Sequence, residues 1–140
     1  MGLTIPGNIS DGVKVSYEKN SVTLIPGGTL AYACFDAAAE SAVYKNAYGD
    51  GVSLKYTHLL SGVKEDIILS SYTGVNSFVF TLVTNGMSVY SENGKYYISE
   101  SRNAKARFCL GDIVVYDARG RQSLGSMAVR TVEAGQRYIL

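Results

Sequence analysis

The sequence predicts an all-β fold, an antiparallel β-sandwich or a curled meander sheet with at most one short helix. Three observations carry that expectation. The 140 residues include 15 Gly and 11 Tyr but only 2 Pro, a composition suited to strands joined by tight turns. Turn pairs such as Asp11-Gly12, Pro26-Gly27, Asp50-Gly51, Asn85-Gly86, Asn93-Gly94, Arg119-Gly120 and Ala134-Gly135 recur at short, rather even spacing. Between them, apolar and polar residues alternate with the period of two that marks a strand with one wet face.

Taken in order, VKVSYE (13 to 18) and SVTLI (21 to 25) read as a hairpin turning at Lys19-Asn20, and GTLAYACF (28 to 35) as a third strand. DAAAESAVYKNA (36 to 47) is the one segment with helical composition, because its alanines with Glu40 favour a helix; it reads as a short helix or an irregular crossing. Val52, Leu54 and Tyr56 alternate with Ser53, Lys55 and Thr57, so that strand has one buried face. GVKEDIIL (62 to 69) begins polar and ends apolar, which places its second half deeper. SFVFTLVTN (77 to 85) is apolar on both parities, with Phe78, Phe80 and Leu82 on one side and Val79 and Val83 on the other. That is the pattern of a central strand covered on both faces. Asn85-Gly86 and Asn93-Gly94 carry type I′ turn chemistry and predict a β-meander through MSVYSE and KYYISE. ARFCL, DIVVYD, LGSMAVRTVE and QRYIL add three or four strands. The expected core includes Ile67, Leu69, Phe78, Phe80, Leu82, Val114 and Tyr116.

Composition also excludes whole classes of function. Hydrophobic residues make up 46%, charged residues 18%, and the mean hydropathy is +0.06, values of a chain that packs a core rather than one that stays disordered. No run of about 18 apolar residues occurs, which argues against a transmembrane helix. MGLTIPGNIS lacks the basic and apolar regions of a signal peptide. A net charge of +1 offers no field for gripping nucleic acid or an anionic membrane. The charge is nevertheless uneven: residues 1 to 100 hold six Lys and Arg against nine Asp and Glu, the last forty seven against three. Arg102, Lys105, Arg107, Arg119, Arg121, Arg130 and Arg137 are dispersed, as on solvated faces.

Cys34 in AYACFD and Cys109 in ARFCLGD lie in apolar settings and read as buried free thiols, with a disulfide as the alternative. Neither is flanked by the cationic environment of a reactive thiolate.

The stretch from Ala47 to Leu82 is more specific. Gly51, Ser53, Leu54 and Tyr56, then Gly62, Lys64, Glu65, Asp66, Ile67, Ile68 and Leu69, then Phe78 and Phe80 form a pattern that resembles a segment of large bacterial surface proteins of the RHS-repeat and wall-associated class, often near DNRLRE-type modules. GKYYIS and GDIVVYDARG are similar to that family's continuation. The resemblance covers roughly half the chain. It implies a secreted or cell-surface β-module whose partners are neighbouring modules of a longer polypeptide, and it carries over no catalytic residue. On this reading residues 1–140 form a single β-module, either excised from a longer chain or a stand-alone relative.

Within that stretch, consecutive strand residues alternate sides, so Lys64 and Asp66 share one face while Glu65 lies with Val63 and Ile67. A polar strand end at the sheet rim explains the cluster first, and a buried pair that fixes register second.

Catalytic constellations are scarce. His58 is the only histidine, sits near a strand end, and reads as a surface or turn residue. No nucleophile elbow, Walker loop, dinucleotide fingerprint or Cys-Xaa-Xaa-Cys occurs. Asp11, Asp36, Asp50, Asp66, Asp112 and Asp117 lack EF-hand spacing. No enzyme activity, metal or cofactor is expected. Tyrosine is the one enriched residue suited to recognition, because its ring is apolar and its tip polar. Tyr96 and Tyr97, adjacent in a strand, point to opposite faces, and one of them is expected to be the more exposed. They are the candidate binding residues. The sequence therefore reads as a non-enzymatic structural or interaction module, with a carbohydrate-binding module using exposed tyrosines as the alternative.

Overall fold

The computed structural model describes residues 2–27, 33–36, 40–72, 74, 76–101 and 104–140. It is an all-β, antiparallel structure in two compact units, Met1–Val83 and Thr84–Leu140. The only helical element among the described residues is a 3-10 turn at Ile9–Asp11, whose first turn is capped by the Asn8 side chain accepting from Ser10 N at 3.1 Å. None of the described helices is long and apolar enough to cross a membrane.

The first unit begins with β1 (Gly2–Thr4), β2 (Val13–Tyr17) and β3 (Asn20–Pro26). β2 and β3 form a hairpin that turns at Glu18-Lys19, one residue earlier than expected, because Glu18 takes the left-handed conformation at φ 53° and Tyr17 pairs with Asn20. β4 (Ala33–Asp36), β5 (Ser41–Tyr44), β6 (Val52–Leu59) and β7 (Gly62–Leu69) form an antiparallel meander in that order. β8 (Phe80–Val83) pairs with β3, Pro26 opposite Phe80. Of the expected strand 28 to 35, residues 33–35 fall in β4 and residues 28–32 lie outside the described residues.

Over 36 to 47, where a short helix or an irregular crossing is expected, the described residues form no helix. Asp36 ends β4 and pairs with Ser41 at the start of β5, and residues 37–39 lie outside the described residues. Ala42 and Tyr44 alternate inward on β5 and are 1% and 0% exposed, so burial of that face outweighs the modest helical propensity of the alanines.

The core of this unit is read directly from period two. Val52, Leu54 and Tyr56 are buried while Ser53, Lys55 and Thr57 between them are not. Ile9, Val13, Val22, Phe80 and Leu82 are buried as well. Tyrosines tie the two sheets together. The Tyr44 hydroxyl donates to the Pro6 carbonyl. The Tyr48 hydroxyl accepts from Gly27 N at 3.1 Å and donates to Val79 O at 2.5 Å. Its ring packs edge-on against Phe78 and Phe80 at 5.4 and 5.9 Å, the geometry that aromatic quadrupoles favour.

Depth differs from expectation at two places. The second half of β7 is no deeper than the first, since Ile67 and Leu69 are half-buried and Ile68 is 45% exposed; among the described residues β7 is the last strand of its sheet, with a neighbour on one side only. The run 77 to 85 is buried on one face and covered only in part on the other, where Thr81 and Val83 are half-buried. Phe80 and Leu82 are buried and Phe78 half-buried, but Val79 is 50% exposed and only Phe80–Val83 is strand.

The second unit holds β9 (Ser88–Glu92), β10 (Lys95–Ser99) and β11 (Phe108–Leu110) as a meander, β12 (Val114–Tyr116) and β13 (Gln122–Leu124) as a hairpin, and β14 (Arg130–Glu133) and β15 (Arg137–Ile139) as another. Asn93 and Gly94, at φ 53° and 79°, make the two-residue turn of β9 and β10 as their chemistry requires. The Asn85-Gly86 turn serves differently, because Gly86 N donates to Gly135 O at 2.6 Å and holds the β14–β15 turn. Met87, Ile98 and Tyr138 form the buried centre.

Val114 and Tyr116, expected in the core, are 37% and 67% exposed. Every residue of β12 and β13 is exposed, because a two-stranded ribbon with no layer packed on it has no inside.

Candidate functional site

Tyr96 and Tyr97 occupy successive positions of β10, the middle strand of its sheet, and their side chains diverge. Tyr97 pairs with Tyr90 on β9 and Cys109 on β11. Its ring stacks on that of Tyr90 at 5.7 Å and 26° between planes, so its apolar face is already occupied. Tyr96 pairs with Ser91 and Leu110 and turns to the other face. Both are half-buried.

On its face, Tyr96 lines a cleft of about 260 Å³ together with Lys95, Leu110, Asp112, Ile113 and Met127. The volume lies just below the range of about 300 to 1,000 Å³ usual for small-molecule sites, which suits one ring rather than an extended chain. The wall opposite β10 depends on a close approach. Gly125 N donates to Ile113 O at 3.0 Å, and a Cβ at Gly125 would stand 2.4 Å from Ile113 Cγ2. A larger residue there would force the Ile113 side chain to shift. Tyr96 brings an aromatic ring to the lining, and Asp112 and Ser126 bring side chains that accept and, for Ser126, also donate hydrogen bonds. Such a set can hold a polar ring by stacking and hydrogen bonds. Sequence reasoning found Tyr96 but not its companions, since Asp112, Gly125 and Met127 are brought to it by chain crossings that no local pattern encodes.

Tyr17, Tyr72 and Tyr116 are exposed, at 43%, 78% and 67%, but they sit on β2, after β7 and on β12. Tyr44, Tyr56 and Tyr138 are buried, and Tyr32 lies outside the described residues. Tyr138 is structural: its hydroxyl accepts from Gly135 N at 2.8 Å and from Val89 N at 3.4 Å.

A second polar cluster lies inside the first unit. Lys64 and Asp66 share the outer face of β7 and pair at 3.3 Å. Glu65 turns inward, where it stands opposite Tyr56 and accepts a 2.6 Å hydrogen bond from the Tyr56 hydroxyl. Its partner is therefore a neutral donor rather than the ion of a buried charge pair. Burial outweighs that hydrogen bond and raises the Glu65 carboxyl to about 7, with Asp66 adding to the rise. Burial and the Glu65 charge both push the Tyr56 phenol upward, and burial raises Tyr44 and Tyr48 to about 12.

His58 is exposed, as expected, although it belongs to β6 rather than to a turn. Cys34 and Cys109 are free and exposed, contrary to the burial expected of them. Each lies on the last strand of its sheet, β4 and β11, where an apolar sequence setting does not guarantee a covering layer. Among the described residues no three His, Cys, Asp or Glu side chains converge as metal ligands. No protein-family model, curated protein or solved structure matches the chain.

Proposed function

We propose that the protein is a non-enzymatic interaction module of a bacterial cell-surface or secreted polypeptide, and that the β12–β13 hairpin is the face it offers to neighbouring modules. One observation carries the reading: Val114, Val115, Tyr116 and Leu124 are 37%, 49%, 67% and 80% exposed on a single ribbon. Clustered exposed apolar side chains mark docking surfaces, and a lone two-stranded ribbon gains stability when a partner covers it. The strand pattern from Ala47 to Leu82 supports the surface-protein context. The test compares amide hydrogen exchange of 114–116 and 122–124 in this chain and in a longer product carrying the coding sequence on either side. Protection gained in the longer product, and lost with Leu124→Asp, is expected. Equal exchange in both products would overturn the proposal.

The Tyr96 cleft favours a second reading, that of a carbohydrate-binding module. A glycan array with wild type, Tyr96→Ala and Tyr97→Ala separates the two. A specific hit abolished by Tyr96→Ala and kept by Tyr97→Ala would put the glycan reading first, because only Tyr96 faces the cleft.

A further inference from the structure

β7 has β6 on one side and, among the described residues, no strand on the other. At eight residues it is the longest strand at any sheet border among those described. The ladder to β6 fixes which of its backbone groups are used. Leu59 and Gly62 close the hairpin and exchange hydrogen bonds, since the residues between them are too close to pair with each other. In an antiparallel ladder bonded positions alternate, so Gly62, Lys64, Asp66 and Ile68 bond to β6. The N–H and C=O groups of Val63, Glu65, Ile67 and Leu69 point away from it. No backbone hydrogen bond from that edge is made among the described residues.

A lysine on an edge usually discourages a second strand. Here Lys64 is followed two residues later by Asp66, on the same face and 3.3 Å away. A second β7 running antiparallel, related by a two-fold axis, pairs residues whose numbers have a constant sum, and the bonding pattern admits only even sums. Centred on Glu65, the pairing sets Lys64 opposite Asp66 of the other copy, twice, and Val63 opposite Ile67. Centred on Lys64 or on Asp66, it sets like charges face to face, which is destabilising. Centred on Ile67, it leaves both lysines without an acidic partner. The register centred on Glu65 alone gives both lysines an acidic partner.

We propose that the outer edge of β7 is a self-association site, at which a second copy of this chain adds its own β7 antiparallel with Lys64 opposite Asp66. The site is isologous and closes on a dimer. It also sets Glu65 opposite Glu65 on the inner face. The groups facing Glu65 are Tyr56 from β6 and Tyr48 from the loop after β5, with Asp66 beside it on β7; none is a cation. Two charged carboxylates there repel, so the dimer is tighter below about pH 7, where Glu65 holds its proton.

Sedimentation of the whole chain across a wide range of loading concentrations tests this. Wild type is expected to dimerise with rising concentration, more strongly on the acid side of neutrality. Lys64→Asp and Asp66→Lys should each weaken the dimer about tenfold, from two lost pairs and two repulsive ones, and the double exchange should restore it. Val63→Pro removes an outward N–H that β6 does not use; the variant should melt like wild type yet fail to dimerise. A chain that stays monomeric throughout would overturn the proposal. So would a dimer indifferent to Val63→Pro or to pH, or an exchange variant as weak as the single ones.

Discussion

The Tyr56 hydroxyl donates a 2.6 Å hydrogen bond to Glu65 Oε2, and the two residues stand directly opposite each other in the β6–β7 ladder. This places a carboxyl on the face of the sheet that carries Leu54, Val52 and the edge-on pair of Tyr44 and Tyr56 at 6.0 Å. A carboxylate in such a place loses hydration that one neutral donor only partly replaces.

Stability of the first unit should therefore depend on pH in an uncommon direction. Glu65 holds its proton more tightly when folded, at about 7 against an ordinary 4.5. The folded state binds more protons between those values, so stability falls as pH rises through them. The contribution is full below about pH 4.5, lost above about 7, and on the order of 2 to 3 kcal/mol. Thermal melts between those limits should shift downward with rising pH. Glu65→Gln keeps an acceptor for Tyr56 and should flatten the profile; an unchanged slope would remove Glu65 as its source.

Period two made the buried face of β6 legible, because Val52, Leu54 and Tyr56 alternate with polar residues and each is at most 3% exposed. Type I′ chemistry likewise located the β9–β10 turn at Asn93-Gly94. The pattern failed where apolar composition was not matched by a covering layer. Val114 and Tyr116 read as core from VVY, yet no second layer packs on their hairpin. Cys34 and Cys109 failed for the same reason on border strands. Alternation did put Glu65 on the side of Ile67. What it could not supply was the partner, since Tyr56 reaches Glu65 only through the register of two strands.

Phe80 and Val79 test the unequal coverage of the two faces of the run 77 to 85. Phe80 is 7% exposed and packs on Tyr48, whereas its neighbour Val79 is 50% exposed. Phe80→Ala should cost about 3 to 5 kcal/mol in chemical denaturation, and Val79→Ala no more than about 0.5 kcal/mol. Comparable losses from both would mean that the second face is covered after all.

Asp117 organises the tip of the exposed hairpin. Its Oδ1 accepts from Arg119 N at 2.9 Å and Arg121 N at 2.8 Å, and its Oδ2 from Arg121 Nε at 2.7 Å. These bonds hold the carboxyl below its usual range, backbone donation from Arg121 first. The lowered value means that the tip is ordered above the ordinary carboxylate range and loosens as acid protonates Asp117. Amide shifts of Arg119 and Arg121 should move together on acidification and be displaced at neutral pH in Asp117→Asn. Shifts indifferent to both changes would remove Asp117 from that role.

Gly125 gives a direct handle on the cleft, because a side chain there would meet Ile113 of the wall first. A methyl group at this position would stand 2.4 Å from Ile113 Cγ2 and 3.2 Å from Ile113 Cβ, well inside van der Waals contact, so Ile113 must move or the segments must part. Ile113 is itself 36% exposed and lines the cleft, so it can yield toward that space. Gly125→Ala should therefore cost about 1 to 3 kcal/mol as an overpacking change, while altering the environment of Tyr96 across the cleft. The readout is the ring resonances of Tyr96 beside those of Tyr97, which faces the other side of β10 against Tyr90. Movement of Tyr96 with Tyr97 unmoved is the expected outcome. Equal movement of both would mean that the sheet as a whole is displaced, and no movement of Tyr96 would show that Gly125 and Tyr96 do not share a cavity in solution.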